Sequence, residues 1–161
     1  MDIDVQQDPE ARTLTVTARL DAPVERVWQI WADPRQLERW WGPPSYPATV
    51  MDHDLRPGGL VTYAMTGPEG DKHHGMWRVL AVEPPHLLEV EDLFADDAGQ
   101  PNTDLPVSTM RTTLQADGKG RTLMTTVSTF ASLEDLQRLV EMGMLEGLRQ
   151  AMSQIPAVLA S

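Results

Sequence analysis

The sequence predicts an α+β domain in which an antiparallel sheet of six to seven strands is covered on one face by a long C-terminal helix. Residues 12–20 alternate apolar and polar side chains with a period of two, the mark of a half-buried strand. Between Tyr46 and Phe130, short apolar runs are separated by clusters of Gly, Pro and Asp, the rhythm of strands joined by hairpins. From Ser132 to Ile155, apolar residues recur at helical spacing for several turns, enough to cover a sheet face.

Size and composition bound this picture. At 161 residues the chain suits one domain, spanning 1–161, with residues 1–11 extended or disordered. No run approaches the roughly 20 apolar residues that cross a bilayer, so a soluble protein is expected. The segment Met1-Asp-Ile-Asp-Val-Gln-Gln-Asp8 carries acids where a secretory signal carries bases, and a cytoplasmic location follows as the expectation. The absence of cysteine excludes disulfides, thiolate metal sites and cysteine nucleophiles together. A net charge of −11 opposes nucleic acid and anionic membrane surfaces, whose binding draws on clustered Lys and Arg.

Each element has its local reason. Leu14, Val16 and Ala18 share one side of the first strand, and Thr13, Thr15, Thr17 and Arg19 the other. Pro23 suits a first helical position and Glu25 a first turn, ahead of Val24, Val27, Trp28 and Trp31 at helical spacing. Asp33-Pro34-Arg-Gln36 reads as a variant capping box that opens a second short helix, which stops near Gly42-Pro43-Pro44. Turns at 56–59, 67–70, 83–86, 96–106 and 117–120 then delimit about six strands. In one of them Val61, Tyr63 and Met65 oppose Leu60, Thr62 and Ala64, as an antiparallel sheet with one covered face requires. Ser132-Leu-Glu-Asp135 is a capping box for the last helix, whose apolar stripe includes Leu136, Leu139, Val140, Leu148 and Ala151. Pro156 interrupts it, leaving 157–161 as a kinked last turn or a frayed tail.

Several segments resemble a known family. Ala22-Pro-Val-Glu-Arg-Val-Trp28, Asp33-Pro34, Arg39-Trp-Trp-Gly-Pro43, Asp54-Leu-Arg-Pro-Gly-Gly59, Met65-Thr-Gly-Pro68, Glu83-Pro-Pro85 and Gly143-Met-Leu-Glu-Gly147 are similar to the signature segments of the domain related to the activator of heat-shock protein 90 ATPase, the AHSA1-like family. That family lies within the START-like, polyketide cyclase-like superfamily, also called SRPBCC. The resemblance runs in order from about Thr13 to the end. It implies the helix-grip (START-like, Bet v-like) fold, with a curved sheet, two short helices and a long C-terminal helix enclosing a cavity. It also implies a range of activities, because this scaffold hosts lipid carriers, cyclases, resistance proteins and co-chaperone domains. Related domains often dimerise, so a homodimer is one expected assembly.

Candidate site residues follow from the same patterns. Trp28 with Trp31, and Trp40 with Trp41, either line the mouth of a cavity or pack the short helices onto the sheet. Ligand-binding candidates are Trp40, Trp41, Tyr63 and Trp77, the adaptable Met65, Met110, Met124 and Met144, and the apolar Phe94 and Val140. Gly143 and Gly147, four apart on the last helix, leave a smooth strip that either seats the helix close to the sheet or makes room for a ligand. Asp52, His53, Asp54, His73 and His74 read as solvated residues, and no metal or other cofactor is expected. Along Leu88–Phe94, alternation turns either Asp92 or Glu91 inward. Such a carboxylate is a general-base candidate, or else the partner of Arg78 or Arg111 on neighbouring strands. No Ser-His-Asp arrangement, phosphate loop or zinc signature occurs.

Three functions follow. The first is binding of a small hydrophobic molecule (lipid, aromatic or polyketide-like) in the cavity, oriented by polar groups such as Tyr63, Thr112 or Asp92 and without turnover. The second is an enzyme of the cyclase or hydratase kind, in which Asp92 or Glu91 moves a proton. The third, a co-chaperone of heat-shock protein 90, follows from the family name alone.

Overall fold

Eight antiparallel strands, rather than six to seven, make up the sheet of the computed structural model, which describes residues 2–161. In chain order they are β1 (Asp2–Asp8), β2 (Thr13–Leu20), β3 (Ala48–His53), β4 (Leu60–Thr66), β5 (Lys72–Glu83), β6 (Leu87–Ala95), β7 (Ser108–Ala116) and β8 (Thr122–Phe130). Their spatial order is β1-β2-β8-β7-β6-β5-β4-β3, so the pairing of β2 with β8 joins the two ends of the chain. The additional strand is β1. Its alternating acids and glutamines disguise it, yet Ile3 and Val5 are half-buried against the core, and every residue from Asp2 to Asp8 pairs with β2.

Between β2 and β3 the chain crosses the sheet through α1 (Val24–Ala32) and α2 (Pro34–Leu37). Helix α1 buries Val24, Val27, Ile30 and Trp31, the positions its helical spacing aligns. At the start of α2 one Asp33 carboxylate oxygen accepts from the Arg35 N–H at 2.9 Å and the other from the Gln36 amide at 3.0 Å. The Gln36 hydrogen bond, first, and the Arg35 bond hold that carboxyl below its usual range. Arg26 of α1 donates to Gln36 and to the carbonyl of Val158, tying this crossing to the end of the chain.

The single C-terminal helix expected from the spacing is three helices: α3 (Leu133–Glu141), α4 (Met144–Met152) and α5 (Ile155–Leu159). Gly143 makes the first break, with φ +92° in the left-handed region that glycine enters without strain. Pro156 does not fray the tail; it sits in the first turn of α5, where a missing N–H costs nothing, and α5 buries Ile155 and Val158. No helix among the described residues is long and apolar enough to cross a membrane.

Irregularities in the sheet account for two exposed apolar side chains. Pairing shifts between Val50 and Asp52 and between Val79 and Ala81, and the residues left over, Met51 and Leu80, face outward. The buried side chains fall into two clusters. The larger joins the inward face of β2–β8 to α1, α2, Met152 and α5, and contains Trp31, Trp40, Trp41, Tyr63 and Trp77. The smaller is Leu14, Phe130, Leu136 and Leu139, under α3.

Candidate functional site

A cavity of about 260 Å³ lies where the two clusters meet. Strand pairing builds its floor. Across four ladders, Val61, Trp77, Asp92, Ser108 and Phe130 stand opposite one another in a row, and Tyr63, Gly75 and Phe94 form the next. Gly75 is required here, because a Cβ at that position would stand 2.4 Å from the Tyr63 ring and hydroxyl. The bare glycine lets the tyrosine lie across β5. Helices α3 and α4 form the roof with Leu139, Met142, Gly143, Met144, Leu148 and Met152, and Pro106 closes one side. The helix break at Gly143 falls within this roof, and a Cβ there would touch nothing within 4 Å.

Five aromatic rings pack together beside the cavity, and two of them, Trp41 and Tyr63, reach its wall. Trp41 meets Trp77 edge-on at 4.9 Å between centroids and Tyr63 at 6.0 Å, while Trp31 meets Trp40 at 4.8 Å. The Trp40 N–H donates to the Ile30 carbonyl at 3.0 Å, but those of Trp31, Trp41 and Trp77 are buried with no acceptor in hydrogen-bond geometry. The indoles of Trp41 and Trp77 approach the Tyr63 hydroxyl closely enough to favour its ionised form slightly. Neither meets the distance and angle of a hydrogen bond, and both remain unpaired donors.

Asp92 is the one carboxyl group in the cavity wall. Its neighbours in sequence face the other way: Glu91 pairs with Arg78 at 2.6 Å, and Glu89 with Arg111 at 3.2 Å. Asp92, half-buried and part of the cavity lining, has no such partner among the described residues. Burial pushes its pKa up to about 7. Burial, first, and the charge of Asp92 raise the Tyr63 hydroxyl well above its ordinary value, so it stays neutral. The wall thus offers an apolar surface, one neutral phenol, one carboxyl poised near neutrality, and the hydroxyls of Ser108, Thr126 and Ser128.

Of the residues singled out from the sequence, Trp41, Tyr63, Asp92, Phe94, Met110, Gly143 and Met144 line this cavity. Trp40, Trp77 and Met124 lie in the packed core, and Met65 and Val140 are half-buried against it. Gly147 faces open space outside the lining, and Glu91 is on the outer face. Trp28 is half-buried and Trp31 fully buried, the packing role. Thr112 is one layer deeper, hydrogen-bonded to Thr126. His53 is not simply solvated; it is half-buried, its Nε2 3.0 Å from the Trp31 carbonyl. Sequence reasoning assigned no site role to Val16, Leu93, Pro106, Ser108, Thr126, Ser128, Leu139, Leu148 or Met152. Val16 and Met152 carried a signal as inward or apolar-stripe positions, whereas the small hydroxyl residues look like ordinary strand surface.

A sheet gripped by C-terminal helices over an internal cavity defines a helix-grip protein. Residues 21–160 match the family described as activator of Hsp90 ATPase homolog 1-like protein, and the chain belongs to that family. Among solved structures, protein Ms6760 from Mycobacterium smegmatis is 55% identical, with 98% of this chain and 97% of that one covered and a TM-score of 0.90. A protein from Arthrobacter aurescens is 48% identical over 98% and 91% of the two chains, with a TM-score of 0.93. The AHSA1 protein from Silicibacter pomeroyi, 20% identical over 92% and 97% with a TM-score of 0.71, shares the fold. No curated protein matches the chain.

Proposed function

We propose that this protein binds a small, largely apolar molecule in the cavity between its two core clusters. The observation that carries this reading is the cavity itself: about 260 Å³ of space walled mainly by apolar side chains, where close packing is the rule for protein interiors. An apolar cavity of about 150 Å³ accommodates benzene, so this one suits a molecule of one or two rings. Trp41, Tyr63, Phe94, Met110, Gly143 and Met144 are the contacts assigned to it. The methionines suit the role because an unbranched thioether refits around ligands of different outline. Native mass spectrometry of the purified protein, followed by titration with one- and two-ring aromatic compounds, tests the reading. Saturable one-to-one binding supports it, and no binding to either the intact protein or a panel of such compounds sinks it.

The position of Asp92 favours a second reading, an enzyme of the cyclase or hydratase kind. A carboxyl with a pKa of about 7, lining the cavity, is matched to accept a proton from a bound substrate and return it. On this reading Asp92→Asn abolishes turnover while ligand affinity persists. A variant that retained turnover would remove Asp92 from the mechanism.

A further inference from the structure

The polar character of the cavity is one-sided. It holds a carboxyl group, and none of the residues that line it is Lys, Arg or His. Every element packed around Asp92 repeats the deficit. Strand β4 presents Tyr63, whose hydroxyl is neutral, while β5 and β7 present Trp77 and Ser108 at the paired positions. The roof presents Leu139, Met144 and Leu148. The two arginines within reach of this strand, Arg78 and Arg111, are engaged by Glu91 and Glu89 on the outer face. An ionised Asp92 would therefore be a half-buried charge with no counter-ion among the described residues, so that no ion pair offsets its loss of water.

We propose that the ligand carries a basic nitrogen, and that its ammonium group pairs with Asp92 while its apolar body fills the rest of the cavity. The inference rests on the ligand-binding reading above and names the class of ligand. Three observations support it. An ammonium supplies both the missing charge and the N–H donors that the carboxylate lacks, and such charge-assisted bonds are the strong ones. The rings of Trp41 and Tyr63, 6.0 Å apart, line the same cavity as this carboxyl, and aromatic rings are favourable neighbours for a cation. The converse also holds: a fatty-acid or other anionic head would meet a like charge with no cation to receive it, in a protein of net charge −11.

Three shape-matched probes test it: 2-naphthylmethylamine, 2-ethylnaphthalene and 2-naphthoic acid, titrated calorimetrically into the full chain and into Asp92→Asn. At about pH 8, where a carboxyl with a pKa of about 7 is ionised, the amine should bind roughly tenfold or more tighter than the ethyl compound, and the acid more weakly than either. In Asp92→Asn the amine advantage should fall to about twofold or less, with the affinity for the ethyl compound unchanged as evidence that the cavity is intact. With the unmodified protein, the advantage should shrink towards about pH 5 as Asp92 takes up its proton, an arm that needs no variant. An amine no tighter than the ethyl compound, or an advantage that survives in Asp92→Asn, overturns the proposal while leaving the ligand-binding reading in place. If none of the three binds, both fall.

Discussion

The two core clusters treat the inward face of one sheet in opposite ways. Around Trp31, Trp40 and Trp77 each ring is fully buried, and edge-on contacts leave no room. Beneath α3 and α4 the same face carries Asp92, Ser108 and Ser128, and the helices above are interrupted at a glycine. Stability and ligand space are thus kept apart on one sheet. The tryptophan cluster locks the α1–α2 crossing onto the sheet, and the space next to it survives because small and polar residues were placed where large ones would fit.

The largest loss of stability is expected on the packed side. Trp31→Ala removes a fully buried indole beside three other tryptophans, and its N–H makes no hydrogen bond, so the loss is almost wholly packing. Urea unfolding should show about 3–5 kcal/mol of destabilisation. Leu148→Ala, on a wall that already faces space, should cost only about 1–2 kcal/mol. Equal losses would mean that the two regions are packed alike.

Asp92 gives the next effect, and its sign is set by burial. Its folded pKa of about 7 lies above the ordinary 3.8, so the unfolded chain releases the proton first. The contribution of this group is therefore most favourable below about pH 4, declines as pH rises towards 7, and is level above that. The full difference corresponds to about 4 kcal/mol, which water in the cavity reduces to about 2–4 kcal/mol. Asp92→Asn should accordingly be more stable than the parent by that amount at about pH 8, with the gap closing towards about pH 4. Unfolding curves of both proteins across this range check it; a gap independent of pH would mean that the carboxyl is solvated.

How much of this was legible in the sequence differs by element. Strand β2, both crossing helices and the caps at Asp33 and Ser132 follow from local patterns, because alternation, helical spacing and capping act within a few residues. Strand β1 was hidden, since Ile3 and Val5 are too few to mark it and its order derives from backbone pairing with β2. The break at Gly143 was hidden for a different reason: the apolar stripe continues across it in register. In the site, alternation brought out Tyr63 and Asp92. It could not separate Trp40 from Trp41, adjacent residues after a four-residue helix, of which one bonds back to Ile30 and the other turns to the cavity. Nor could it join Asp92 to Trp77 and Ser108, because strand register lies between strands.

Two smaller effects sharpen the contrast. Gly143→Ala places a Cβ in open space but forces a left-handed backbone, so it should cost about 1–2 kcal/mol in unfolding experiments. A neutral or stabilising result would show that α3 and α4 join into one helix at little cost, and that the break in the roof is not fixed by the backbone.

The smallest effect belongs to the neighbour of Asp92. Glu91→Gln is the same chemical change one residue away, but strand alternation turns Glu91 outward, where it pairs with an arginine whose side chain is 47% exposed. Exposed pairs contribute about 1 kcal/mol or less, and a glutamine keeps a hydrogen bond to Arg78, so stability should change by less than about 0.5 kcal/mol. Ligand affinity should not change at all, because Glu91 is absent from the cavity wall. Titration of this variant with the same probes used for Asp92→Asn therefore isolates position: two adjacent carboxyl groups, changed identically, with binding altered only by the one that faces inward. Equal effects from both would place the determinant in the net charge of the strand instead of in the cavity.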